Sequence, residues 1–344
     1  MSTTLKKALA PPRVIEFGAF VSALSFGPNG TLAAALGDGC VAIVPPGASK
    51  PLDLPALHKG AVLALARDPK GAGFYSGGDD GRLCRIGPDG AAALVQDFAG
   101  KWIETIATHA KTGRVALAAG KEVCLIDDRA PFKFGPHPST VADISFSPDG
   151  SRLAAAHYGG VSIWNLTKPG DPPRKLAWKG SHIRIAYSPA TRFLATATQE
   201  AAVHCWRLQD GSEMQMSGYP NKVKSLAWTP NGQHLMASGA PGFVIWAFSG
   251  RGPEGKPPVE FASTDEPATV SVVAAHPAVS CIAAGDVAGG VEIGDVDQLK
   301  VLPLRPFLSG PISALAWADD GFALAAGSET GQVALFDLRL QQAD

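Results

Sequence analysis

Apolar residues along this chain fall into short runs that repeat one pattern. Each opening run is apolar at offsets 0, 3 and usually 5, as in Val21/Leu24/Phe26, Val141/Ile144/Phe146, Val223/Leu226/Trp228 and Ile312/Leu315/Trp317. The fullest copy is 141–166, VADISFSPDGSRLAAAHYGGVSIWNL: a run ending at Phe146, the reversal Ser-Pro-Asp-Gly, a second run from Leu153, then Gly159-Gly160 and a third run closing at Trp164. Short runs broken by Gly, Pro and Asp predict strands, and no helical period competes with them. Aligned on the first position of each opening run, the copies begin at Val21, Val62, Ile103, Val141, His182, Val223, Val270 and Ile312, at intervals of 41, 41, 38, 41, 41, 47 and 42 residues. Fixed-period self-similarity marks a repeat architecture, here eight units of one kind.

Within a unit the residue types suit their places. The reversals GPNG at 27–30, SPDG at 147–150, TPNG at 229–232 and ADDG at 318–321 end on a Gly suited to positive φ. Second runs are rich in alanine, as in LAAAL at 32–36 and LATAT at 194–198. Alanine is a poor strand former, so crowding from sheets on both faces is the packing reason. Third runs end on Val44, Ile86, Ile126, Trp164, Trp206, Trp246 and Phe336, with Gly294 the exception. Fourth strands fit between units, for example at 52–54 and 175–178. Four short antiparallel strands about every 42 residues predict an all-β fold, a single closed β-propeller of four-stranded antiparallel blades.

On these residues the chain resembles the WD-repeat β-propeller family over about 13–340, although no copy has a literal Trp-Asp; the third-run endings are Trp164-Asn165, Trp206-Arg207, Trp246-Ala247, Phe336-Asp337, Ile126-Asp127 and Gly294-Asp295. The register predicts eight blades, with seven, the commoner number in the family, as the alternative; the unit from Val270 to Asp295 is the weakest. The resemblance implies that strand 14–17 completes the last blade and closes the ring, leaving 1–12 and 341–344 as tails.

Charged residues make up 18% of the chain and net charge is −1, so neither a nucleic-acid surface nor an anionic-membrane surface is indicated. No run has the ~18 apolar residues of a membrane helix, and the N-terminus has no signal-peptide pattern. Five cysteines, at 40, 84, 124, 205 and 281, have no CxxC spacing and sit inside apolar runs, which predicts buried, reduced thiols and a cytoplasmic location. High Ala, Gly and Pro with few Lys points to a bacterial source.

His58, Ser76 and Asp80 are the residue types of a hydrolytic triad. No nucleophile elbow accompanies them. The resemblance implies instead a structural hydrogen-bond network, with Ile86 in place of the usual Trp. In the fourth unit His137 and Trp164 match that network while Tyr158 takes the Asp position, and Glu200 substitutes in the fifth. His109 and His276 read as turn residues and His182 as a half-buried core position. No metal spacing is present and no cofactor is expected.

The resemblance further implies docking on the narrower face, formed by the loops before each opening strand and the tight turns. Matched position by position, the partner-binding candidates are Trp102, Glu104, His157, Tyr158, Lys222 and Lys224, with Trp102 as anchor. Asp143 and Arg184 are expected to pair across the channel, and the longest loop on the other face, 249–259, to be exposed and mobile. The resulting expectation is a non-enzymatic scaffold binding a protein or peptide. The alternatives are a structural subunit of a permanent complex and, much less supported, an eight-bladed oxidoreductase.

Overall fold

The structure is a computed structural model describing residues 9–126 and 131–339; Asp127, residues 1–8 of the expected N-terminal tail, Leu340 and the whole expected C-terminal tail 341–344 lie outside the described residues. Every regular element among the described residues is a β-strand, and the strand pairings within the sheets are antiparallel. The eight aligned positions are all deeply buried: Val21, Val62, Ile103, Val141, His182, Val223, Val270 and Ile312 are each 0–4% exposed. Inner strands touch their neighbours in chain order, and Ile312–Trp317 meets Val21–Phe26 to complete the circle.

Among the described residues the strands form seven sheets, the alternative number, which corrects the expectation of eight separate four-stranded blades. Units four and five share one six-stranded sheet because Arg174–Tyr187 runs unbroken from the outer edge of one to the inner position of the next. Its middle, Trp-Lys-Gly-Ser-His, contains no proline, whereas the corresponding stretches before units four, six, seven and eight carry Pro136 and Pro138, Pro220, Pro267, and Pro306; the stretch 98–102 before unit three lacks proline as well, yet its strand ends at Asp97. The preceding element, Arg152–Asn165, is a hairpin running through Gly159-Gly160, closed by the Leu166 amide donating to Ser151 O at 2.8 Å. Equivalent bonds close the hairpins of later units, from Leu208 to Arg192 and from Phe248 to Gln233.

Unit one keeps only three strands. The fourth expected at 52–54 does not form. Pro51 and Pro55 lack donors, and the segment meets the neighbouring strand through a bond from the Leu52 amide to Ile43 O. By contrast, the seventh unit, weakest in sequence, is a regular four-stranded sheet from Val270–Ala275 to Lys300–Leu304. Arg13–Glu16 pairs with Gln332–Asp337, Val14 opposite Ala334 and Ile15 opposite Val333, so the first strand lies at the outer edge of the last sheet.

The small residues of second strands have a steric cause. A Cβ on Gly77 would overlap Ile103, one on Gly285 would overlap Ile312, and one on Gly327 would overlap Val21. The opening residue of each following unit thus packs onto the backbone of the unit before it. At the reversals Gly30, Gly150, Gly232 and Gly321 take φ of +80°, +68°, +68° and +72°.

Candidate functional site

Backbone hydrogen bonds bring the tight turns and the loops before the opening strands to one face. The amide of Gly37 donates to Phe20 O, Asp79 to Ala61 O, Gln199 to Ser181 O, Val287 to Thr269 O and Glu329 to Pro311 O, at 2.8–3.1 Å. In unit four the Ser139 hydroxyl takes this part, accepting from the Tyr158 amide at 2.9 Å.

On this turn face Trp102 is 58% exposed, and it flanks an open cleft of about 400 Å³ with Glu104, Ala118 and Thr140. Tyr158 is 62% exposed. Glu104, Lys222 and Lys224 are also exposed. His157 is not: it is buried, its Nδ1 donating to Tyr158 O at 2.8 Å and its Nε2 accepting from the Ser162 hydroxyl at 3.0 Å. His157 therefore leaves the surface set, because its side chain points back into the hairpin instead of out of the turn.

The unit-two residues meet as a chain. His58 Nδ1 lies 3.0 Å from Asp80 Oδ1 and Nε2 lies 2.8 Å from Ser76 Oγ. Burial pushes the Asp80 carboxyl up, but bonds from His58 and from the amides of Lys59 and Arg82 outweigh it and hold the group below its ordinary value. The spacing resembles a triad, yet the Ser76 residue is wholly buried, so no substrate carbonyl reaches its hydroxyl. In unit four, His137 donates from Nδ1 to Lys121 O at 2.8 Å and stands edge-on to Trp164 at 5.1 Å, with His157 5.2 Å away. Burial pushes the His137 imidazole below its usual range.

Glu200 does not enter a network in unit five. His182 bonds instead to the Thr196 hydroxyl at 2.8 Å and to Trp178 O at 3.2 Å. His204, which sequence reasoning missed, stacks on Trp178 at 4.0 Å and stands edge-on to Trp206 at 4.4 Å. The signal was the alternation Val203-His204-Cys205-Trp206, which puts His204 and Trp206 on one strand face. Both His204 ring nitrogens are without hydrogen-bond partners among the described residues, and burial, then the nearby His182, pushes its pKa down to about 4.

The remaining candidates serve the scaffold. His109 bonds Thr112 Oγ1 and Pro148 O, and His276 donates to Gly321 O, so both hold turns to the following unit. Asp143 and Arg184 are not joined by a hydrogen bond as expected: Asp143 accepts from Thr105, Ile144 and Ile185, while Arg184 donates to Lys224 O and Ile183 O. Burial raises the Asp143 pKa, with the Arg184 charge opposing it. The 249–259 loop is anchored, with Arg192 donating to Gly250 O and Gly252 and Pro253 buried. Cys84, Cys124 and Cys205 are buried and Cys40 and Cys281 partly so, all as free thiols. Among the described residues no His/Cys/Asp/Glu group could hold a metal, and no helix is long and apolar enough to cross a membrane.

Residues 131–165 match the family described as WD domain, G-beta repeat. Protein HIR1 of Yarrowia lipolytica is 25% identical over 57% of this chain and 18% of its own length. The U3 small nucleolar RNA-associated protein 15 of Saccharomyces cerevisiae is 25% identical over 59% of this chain and 41% of its own. The serine-threonine kinase receptor-associated protein of Gallus gallus is 24% identical over 58% and 55%. The chain thus spans about a fifth of the HIR1 protein's length. These relatives are fungal and avian, which lends no support to a bacterial source. The likeness, together with the all-β ring of antiparallel sheets, is to WD-repeat β-propeller proteins.

Proposed function

We propose that the chain is a non-catalytic docking platform that holds a protein or peptide partner on its turn face, which the family resemblance implies is the narrower one. The observation that carries this reading is the pair of large aromatics there, Trp102 at 58% and Tyr158 at 62% exposure in adjacent units. Exposed aromatics fixed on a rigid frame supply contact area at little cost in ordering, and such residues dominate interfaces. Glu104, Lys222 and Lys224 furnish a polar rim. The burial of Ser76 supports a structural role for the triad-like residues. A net charge of −1 favours a protein over a nucleic-acid partner, and the free thiols accord with a reducing compartment such as the cytoplasm. The names of two relatives, an RNA-associated and a receptor-associated protein, describe association and not a reaction.

The test is affinity capture from cell extract with the wild-type chain and a Trp102→Ala, Lys224→Glu variant of equal thermal stability. A partner kept by the wild type and lost by the variant is the expected result. A partner retained equally by both moves the site off this face.

A further inference from the structure

We infer that the cleft between units four and five receives a cationic side chain, a lysine or arginine carried on a basic peptide segment. This rests on the turn-face reading and adds the chemistry of the partner. The cleft, about 340 Å³, is lined by Tyr158, Trp178, Lys179, Gly180, Glu200 and Gln215, among others.

Three features select a cation. Tyr158 presents its ring to solvent from a fixed backbone, tied by Ser139 on one side and paired with Ser181 on the other. Trp178 is held as a platform: one face stacks on His204 at 4.0 Å with 20° between planes, while its carbonyl accepts from His182. Burial keeps His204 neutral, so no positive charge stands behind the indole. Glu200 is exposed and makes no hydrogen bond or ion pair among the described residues. Its carboxylate overlies Gly180, where a Cβ would come within 3.0 Å of Oε2, and Gly180 takes φ of +109°. The missing side chain leaves room for that carboxylate over the cleft.

Aromatic faces attract cations through their quadrupole, and a carboxylate adds a charge-assisted hydrogen bond. An apolar side chain seated here would strand the Glu200 charge. An anion would be repelled by Glu200 and by the ring faces and would find only Lys179. Lys179 itself opposes the proposed ligand, so it serves as an internal control of sign.

The experiment labels the full chain with 5-fluorotryptophan and follows the ¹⁹F resonance of Trp178, assigned through Trp178→Phe. The probe is a capped peptide repeating Gly-Ser-Lys, and its Gly-Ser-Gln counterpart is the control. The lysine peptide should shift the Trp178 resonance saturably and the glutamine peptide should not. Glu200→Gln and Tyr158→Ala should each weaken the response about tenfold or more, and Lys179→Ala should strengthen it. Equal response to both peptides, an unaffected Glu200→Gln variant, or loss of binding in Lys179→Ala would overturn the proposal, the last because the proposed ligand is repelled by Lys179. The two readings fail separately. If capture depends on Trp102 while the lysine peptide leaves Trp178 unmoved, docking stands and the cation cleft falls. If the peptide shift appears while capture ignores Trp102 and Lys224, the cleft stands and the Trp102 anchor falls.

Discussion

The Ile185 amide donates to the Asp143 carboxylate across 3.0 Å, and the Thr105 hydroxyl donates to the other oxygen of the same group at 2.9 Å, so one side chain ties three consecutive inner strands. Asp143→Ala strands both donors and should lower stability by about 2–4 kcal/mol. Asp143→Asn keeps an acceptor and should cost less. Urea unfolding of the two variants checks the order.

Small second-strand residues make a second prediction. Gly77→Ala should destabilise by about 1–3 kcal/mol, because its Cβ meets the Ile103 side chain. Ile103→Ala in the same chain should recover part of that loss. A double-mutant cycle with no coupling would place the cost elsewhere.

His58→Ala should cost about 1–3 kcal/mol by leaving the Asp80 carboxylate and Ser76 without their partner. Ser76→Ala should cost less, since it removes only one bond. Differential scanning calorimetry reads both. A specific hydrolytic activity abolished by Ser76→Ala with the fold intact would reverse the structural assignment.

Acid should weaken the fold. Burial, aided by His182, holds His204 at about 4 in the folded chain against ~6.5 unfolded, so between these values the unfolded chain binds a proton that the folded chain refuses. Stability is therefore complete above pH ~6.5 and falls with pH, by about 2 kcal/mol at pH 5 from this group alone. His137 and His182, also lowered by burial, act in the same direction. Asp143, raised by burial, acts oppositely, favouring the folded state as it protonates. His204→Leu should lose less stability than the wild type between pH 7 and pH 5 in chemical denaturation.

The period made much of this readable beforehand. Val21 and its seven counterparts were placed because opening runs must bury one face, and the reversals because Gly30, Gly150, Gly232 and Gly321 sit where positive φ closes a hairpin. Features set by long-range contact were hidden. The fusion of units four and five includes the register pairing of Tyr158 with Ser181, which the proline-free run 174–187 permits but does not announce. The burial of His157 turns on the direction of a single side chain beside a tight turn, and the Trp178–His204 stack joins an outer strand of one unit to a third strand of the next. The missing outer strand of unit one had a visible cause in Pro51 and Pro55, which the repeat register overrode.

The pairing of Arg13–Glu16 with Gln332–Asp337 has a consequence for synthesis. The Glu16 and Gln332 side chains meet from positions 316 residues apart. At ~5–20 residues per second, the ribosome delivers the second of these strands about 16–60 s after the first. For most of that interval the early strand has its hydrogen-bonding groups unclaimed, so the nascent chain is open to chaperones and to misassembly with neighbouring polysomal chains until its partner strand is made.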